Sequence, residues 1–388
     1  MNRYPGRLAV QQRVLTPYRG AFFDTLAQSC DGGLSVCAGL PRPEESIATT
    51  DKMQVARYTL ARNIHILRGP LYLCYQRGLQ AWLAGWNPDA LIVEANPRYL
   101  STSAAVRWMK RRGRPVIGWG LGVPAAPLTP PLSKTGEAGR GWRGAFLRQF
   151  DALITYSHRG AGEYAALGFP AEKIFVAPNA ATPPPVHPMP IRPEKFREHP
   201  NILFVGRLQA RKRIDILLQA CAALPEAIQP KLIIVGDGPE RPALEALAKG
   251  IYPSTEFVGA KHGSDLTPYF LAADLFVLPG TGGLAVQEAM TWGLPIVMGQ
   301  GDGTNDDLVR PENGWQLSGD ALSRRIEPVE ILTKGPKTLA DALREALSDV
   351  SRLRRMGAAS YRIVSEEINL EKMVEVFVQA LGSFKAGV

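Results

Sequence analysis

The chain is poor in cysteine and histidine and has no long apolar run. Of 388 residues, four are cysteine (Cys30, Cys37, Cys74, Cys221) and five are histidine. No two cysteines form a C-x-x-C pair, and no histidine sits at metal-ligand spacing. Both absences argue against a structural zinc site, and the first against a disulfide framework. No apolar stretch reaches the roughly 18 residues needed to cross a bilayer. The opening residues, MNRYPGRLAVQQRV, return to polar character before a signal-peptide core could form. The expected location is therefore the cytoplasm. No DNA- or RNA-binding motif is present, and the aromatic residues are not interleaved with the basic ones.

What is present describes an ordinary globular protein. Hydrophobic residues make up 45% and charged residues 21%, which excludes a disordered chain. The length suggests roughly two or three domains. The net charge of +9 is unevenly placed: residues 1–190 carry 22 Lys and Arg against 11 Asp and Glu, whereas residues 191–388 carry 23 against 25. The basic half fits a solvated arginine-rich surface. It equally fits a face turned toward lipid headgroups or a phosphate-bearing acceptor.

Short apolar runs alternate with segments of helical period. In the first half the runs are LAV (8–10), LSVCA (34–38), IHIL (64–67), ALIVE (90–94), PVIGW (115–119), ALITY (152–156) and IFVA (174–177). Between them lie amphipathic stretches such as TSAAVRWMKRRG. The alternation predicts a parallel sheet wrapped by helices. Residues 178–200 are dense in proline, unsuited to a helix interior or central strand, and read as a linker. The rhythm then restarts with NILFVG, KLIIVG, EFVG, LFVLP, PIVMG and WQL. Residues 338–387 read as helices, broken near Gly357. The expected fold class is α/β: two doubly wound Rossmann-like domains in tandem, with ligands at the carboxyl ends of strands and in a cleft between the domains. The expected boundaries are 1–180, a proline-rich linker at 181–200, and 201–388 with closing C-terminal helices. A long Pro/Gly/basic loop, 124–144, interrupts the first domain.

Three stretches of the second half carry chemistry. In NILFVGRLQARKRID, a strand ends at Gly206 and Arg207 and Lys212 follow in the turn before a helix. Two cations there suit a diphosphate, though a solvated basic turn has the same spacing. LIIVGDGPERP places Gly236 and Gly238 in a strand-to-helix turn, a weak signal alone. PGTGGLAVQEAM offers uncovered amides at Gly280, Thr281, Gly282, Gly283 and Leu284, with Glu288 in the following helix. Such a loop can cup a phosphate, and the carboxylate can accept two hydroxyls. A charge favourable to the helix start is the plainer account of Glu288.

Taken in order, GRLQARK, VGDGPE and GGLAVQEAMTWGLP resemble the retaining glycosyltransferases of family 4, which have the GT-B fold. The match is close over about residues 200–318 and is one of rhythm in the first half. The resemblance implies that Arg207 and Lys212 hold the donor diphosphate and act as the catalytic cations. It implies that Glu288 binds the donor ribose, and that the Gly236–Gly238 turn and Val258 in EFVG flank the base. It further implies a metal-independent enzyme of polysaccharide or glycolipid biosynthesis, with a nucleotide-sugar donor as co-substrate and no cofactor. No D-x-D at a strand end contradicts this. Two positions depart from the family. Its glycine loop begins with a glutamate where this chain has Gly280, and its first-domain histidine falls near Leu121. If the loop uses positive φ at Gly280, a side chain there would add strain.

First-domain candidates follow strands. Gln11, Arg13 and Arg19 come after the first, and Glu94 and Arg98 after the ALIVE run. These are acceptor-side candidates. A buried Glu94 needs a partner, expected to be Arg98 or a substrate hydroxyl. His158 follows a strand end and fits a surface histidine at a helix start. The preferred function is a glycosyltransferase acting on a glycan, lipid-linked or small-molecule acceptor, cytoplasmic or peripheral on the membrane's inner face. The alternative is a catalytically impaired relative that binds sugar nucleotides or acts as a scaffold. The GRLQARK stretch argues against a nucleotide-sugar 2-epimerase, and the proline in GWGLGVP against a Rossmann oxidoreductase.

Overall fold

The computed structural model describes residues 3–45, 47–122, 141–282, 284–299, 306–317 and 338–384. Most of the 124–144 loop lies outside the described residues. Contacts divide the chain into two units. One runs to Ala181 and resumes at Leu370; the other is Thr182–Asn369.

The first unit contains β1 (Leu8–Val14), β2 (Leu34–Gly39), β3 (Arg57–Leu60), β4 (Arg62–Ile66), β5 (Leu73–Arg77), β6 (Ala90–Glu94), β7 (Val116–Gly120), β8 (Ala152–Thr155) and β9 (Ile174–Val176). Seven of these form a parallel sheet in the order β3-β2-β1-β6-β7-β8-β9. Its inner strands are aliphatic because both faces are covered: every residue of β2 is buried, and so are the first four of β6. One face carries Phe22, Phe23, Trp119 and their neighbours; the other carries Leu83, Val93, Met109 and theirs.

The second unit contains β10 (Asn201–Val205), β11 (Lys231–Val235), β12 (Thr255–Gly259), β13 (Leu275–Leu278), β14 (Ile296–Gly299) and β15 (Gly314–Leu317). They form a parallel sheet in the order β12-β11-β10-β13-β14-β15. The order reverses beside β10, so the loops after β10 and β13 flank the switch point where ligands of such sheets bind.

Four expectations are corrected. The IHIL run does not join the parallel sheet; β4 pairs antiparallel with β5, and Arg57–Leu60 supplies the edge strand. Its alternating polar and apolar residues suit a strand with one exposed face rather than two buried ones. The helical tail breaks at Asp349, whose side chain caps Val350–Arg362, and not at Gly357. Gly357 lies inside that helix, where an added Cβ would come within 2.2 Å of the Gly293 carbonyl oxygen.

The helix Leu370–Gly382 belongs to the first unit rather than closing the second. Its apolar stripe explains why. Phe377 stacks edge-on against Phe22 and Trp119, each at 4.9 Å between ring centroids, and Met373, Val374 and Leu381 fill the same face. Each such side chain contributes about 1.5–3 kcal/mol when buried.

The proline-rich stretch is not a free linker. From Thr182 onward it is bolted to the second unit. Arg192 donates to the carbonyls of Phe270, Leu271, Ala273 and Trp292. His187 stacks on Trp292 at 4.1 Å, and Tyr361 Oη donates to the His187 carbonyl.

Arg192→Ala would leave those carbonyls without their charged donor, at a cost of about 3 kcal/mol. Amide exchange is expected to accelerate in residues 187–193 and 270–292 and to stay unchanged in β1 and β6. An unaltered exchange map for residues 270–292 would show that the stretch is not anchored this way.

Candidate functional site

Three loops meet at the carboxyl edge of the second sheet, and glycine is what lets them meet. After β10 the chain runs through Gly206, Arg207 and Leu208 to Lys212; after β11 it turns through Gly236 and Gly238. A Cβ on Gly236 would stand 2.0 Å from the Gly206 carbonyl oxygen, and one on Gly238 2.3 Å from that of Leu208. Backbone bonds join the same loops: Leu208 N donates to Asp237 O, and Glu240 N to Leu208 O. After β13, a Cβ on Gly280 would lie 2.0 Å from the Arg211 carbonyl oxygen and 2.5 Å from Lys212 Cα. Real Cβ atoms do not approach backbone this closely. Gly280 is not among the positive-φ residues. The requirement for glycine there comes from close approach, which corrects the expected positive φ.

Lys212 sits inside this junction, 9% exposed. Its Nζ donates to the Thr281 carbonyl at 2.6 Å, and Thr281 N donates to the Arg211 carbonyl. Gly282, at φ +139°, leaves the space Nζ occupies, since a Cβ there would come within 2.3 Å of it. Burial, with Arg211 adding like charge, lowers the Lys212 ammonium to about 8. A desolvated cation without a carboxylate is costly unless an anion arrives. Among the described residues, Lys212 has no ion pair.

Arg207 is exposed at the same edge, also without an ion pair among the described residues. Glu288 lies on the helix Leu284–Thr291, half-buried, and burial raises its carboxyl above the usual range. Val258 is the penultimate residue of β12 and is partly exposed. Thr281 is exposed, as is Leu284 at the start of the helix. Gly283 lies outside the described residues. Arg211 escaped the sequence reading. Its Nη1 reaches Thr281 Oγ1 at 3.3 Å, and only its adjacency to Lys212 could have marked it.

The first-unit candidates divide differently. Gln11 is fully buried; its Nε2 donates to Gln76 Oε1, and its Oε1 accepts from Glu94 N. It is held within the fold with both ends of its amide bonded internally, a correction to its acceptor-side assignment. Gln76 was missed because a lone glutamine between Tyr75 and Arg77 gives no signal. Arg13 is paired with Glu45 through Nη1 at 2.8 Å. Arg19 is corrected likewise. It is 5% exposed, its Nη2 donates to Asn179 Oδ1, and its guanidinium lies 5.1–5.2 Å from the rings of Tyr18, Trp119 and Tyr156. It ties β1's following turn to residues 156 and 179 through cation–π contacts.

Glu94 does not pair with Arg98. Its Oε2 accepts from the backbone amide of Arg13 at 2.5 Å. Although the residue keeps some exposure, desolvation pushes its carboxyl up to about 7, against the opposing pull of that amide and of Arg13 and Arg19. Arg98 is half-exposed and its amide bonds to Asn96 Oδ1. Leu121 is 49% exposed and His158 stands exposed at the start of the helix His158–Ala166.

Residues 199–349 match the family model described as glycosyl transferases group 1, and residues 7–180 match the glycosyl transferase 4-like domain. The chain is 25% identical over 378 residues to a GDP-mannose-dependent alpha-(1-6)-phosphatidylinositol monomannoside mannosyltransferase of Mycobacterium tuberculosis. That match covers 90% of this chain and 89% of that protein. It is 35% identical over 120 residues to the sulfoquinovosyl transferase SQD2 of Arabidopsis thaliana, covering 30% of this chain and 22% of the plant protein. Among solved structures, Anabaena Alr3699/HepE in complex with UDP is similar in fold, with a TM-score of 0.67 and 15% identity over 99% of this chain and 100% of that one.

The raised Glu94 carboxyl sets a pH dependence. In the unfolded chain it ionises near 4.5 and in the folded protein near about 7. The folded form therefore holds the proton more tightly. The stability this adds is complete below about 4.5 and is lost as pH rises to about 7. Glu94→Gln keeps an acceptor for the Arg13 amide. It is expected to remove this slope and to raise stability at pH 8 by roughly 1–2 kcal/mol after solvent screening. Melting curves of both proteins from pH 4.5 to 8 test this; parallel pH profiles would refute it.

Proposed function

The chain belongs to the group 1, family 4 glycosyltransferases of GT-B fold, and on that premise we propose that it is a retaining, metal-independent enzyme using a nucleoside-diphosphate sugar. The observation that carries this reading is Lys212: a buried cation with no carboxylate partner among the described residues, held against the Thr281 carbonyl at the switch point of the second sheet. A diphosphate supplies the missing negative charge. Arg207 meets the same group from the exposed side. The two cations stabilise the charge that grows on the leaving phosphate. The acceptor hydroxyl attacks on the face the diphosphate leaves, and the departing phosphate oxygen takes its proton. Glu288 holds the ribose, with the Gly236–Gly238 turn and Val258 flanking the base.

The acceptor is a glycan or a lipid-linked sugar presented at a membrane. Two observations support a membrane setting: the basic excess of residues 1–190 and the phosphatidylinositol-linked acceptor in the name of the mycobacterial relative. Among the described residues, no helix is long and apolar enough to cross a membrane, so association would be peripheral. A second reading, a sugar-nucleotide binder without transfer activity, is favoured by one observation: the position of the family's first glutamate is closed to any side chain at Gly280. A thermal-shift screen of nucleoside diphosphates and nucleotide sugars identifies the donor, since tight ligands raise apparent stability. Release of nucleoside diphosphate in the presence of acceptor separates the two readings.

Arg207→Ala and Lys212→Ala are each expected to weaken nucleoside-diphosphate binding by about 1.5–3 kcal/mol. Because free Lys212 titrates near about 8 and the diphosphate favours its charged form, wild-type binding should take up a proton near pH 8 and weaken above it. Calorimetry in buffers of different ionisation heat reads both effects. Unchanged affinity in both variants would sink the diphosphate assignment.

Gly280→Glu is expected to impair donor binding and transfer, because its Cβ must displace the Arg211–Lys212 backbone. A gain in transfer on the best wild-type donor would mean that the loop opens readily and that the glycine is a simple loss.

A further inference from the structure

The β4–β5 hairpin is built inside out. Its inner face is polar: Asn63 Nδ2 donates to the carbonyls of Arg13 and Leu40, and Gln76 Nε2 donates to the carbonyl of Gln12. Its outer face is apolar. The strand register sets Ile64 opposite Tyr75 and Ile66 opposite Leu73, and Ile64, Ile66 and Tyr75 are all 38–43% exposed. Leu67 follows at the turn, 58% exposed and held at φ +59°, a conformation that bulky residues rarely adopt. Its carbonyl accepts from Arg42 Nη2. An antiparallel pair with one solvated face ordinarily turns its apolar side inward; here the hydrogen bonds are spent inward and the apolar side chains face out.

The same outer face carries a charge conflict. Arg62 stands directly opposite Arg77 in the register, both exposed, and neither has an ion pair among the described residues. Like charges directly opposite each other across a strand pair are destabilising. An apolar strip ending in two unneutralised guanidinium groups is complementary to a surface that is apolar beneath an anionic layer. We propose that this face of the hairpin is the docking surface of the protein on an anionic lipid bilayer. Ile64, Ile66, Leu67 and Tyr75 enter the interfacial region, and Arg62 and Arg77 meet the headgroup phosphates. This rests on the membrane reading given above and names the surface responsible. Because the inner face is bonded to the backbone at the end of β1, docking there sets the bilayer beside the carboxyl edge of the first sheet. That is the edge at which such sheets bind ligands.

The experiment compares the full chain with three double variants: Ile64→Ser with Tyr75→Ser, Arg62→Ser with Arg77→Ser, and, as a charge control outside the hairpin, Arg107→Ser with Arg111→Ser. Partitioning is measured on vesicles of phosphatidylcholine alone and of phosphatidylcholine mixed with phosphatidylglycerol. Wild type should favour the anionic vesicles. The arginine variant should lose roughly thirtyfold in partitioning, the scale expected for two basic groups at about 1 kcal/mol each at an anionic surface, and the apolar variant should lose partitioning too, while the control changes by less than about twofold. The arginine variant should also fold at least as well as wild type, since it removes a repulsion, so it carries the test if the apolar variant proves unstable.

If wild type shows no preference for anionic vesicles, the membrane reading and this proposal both fall. If wild type binds them and the hairpin variants bind equally well, or the control loses as much as they do, only the hairpin proposal falls. A hairpin variant that dissociates a dimer in light scattering while partitioning like wild type would identify a second copy of the chain as the occupant and overturn the proposal.

Discussion

Gly280 has no room for a side chain, and the donor-side loops depend on that. The chain after β13 is pressed onto the backbone of Arg211 and Lys212. That contact keeps Lys212 Nζ against the Thr281 carbonyl. Gly236 and Gly238 bring the loop after β11 against Gly206 and Leu208 by the same means. The cation's burial, and with it the lowered pKa, follow from how closely three backbones approach. In this chain a side chain at Gly280 would have to displace the backbone of Arg211 and Lys212.

Much of the fold was legible because a doubly covered parallel sheet leaves a plain mark. Runs such as ALIV and LFVL are apolar throughout, since no face of those strands meets water there. Legibility failed where tertiary partners decide. Arg62–Ile66 contains the same residue types as a sheet strand, and only its alternation pointed to a hairpin. Gly357 looks like a breaker until its neighbour is known to be the Gly293 backbone. The prolines after residue 182 exclude regular structure but say nothing of Arg192, whose four carbonyl acceptors come from residues 270–292.

The site divides in the same way. The donor-side residues lie in contiguous loops after strands, so their order along the chain already places them at one sheet edge. The acceptor-side candidates were chosen as polar residues after strands, a criterion that cannot separate a ligand contact from a structural one. Gln11 and Arg19 proved to be internal. Their hydrogen-bond partners Gln76 and Asn179 are 65 and 160 residues distant along the chain. Glu94 was legible as a costly carboxylate at a strand end. Its acceptor role toward a backbone amide rather than a guanidinium was not, because any residue supplies an amide.

The helix Leu370–Gly382 reverses the order in which the chain can complete itself. The second unit is whole once Asn369 has been made, yet the first still lacks Phe377 against Phe22 and Trp119. During synthesis, at about 5–20 residues per second, the first unit waits roughly 10–40 s without the helix that covers part of one face of its sheet, while the second unit is being made. For that interval Phe22 and Trp119 lack the Phe377 ring against them. The unit that begins first is the one that finishes last, and a chaperone able to shield that face has the whole of the second unit's synthesis in which to act.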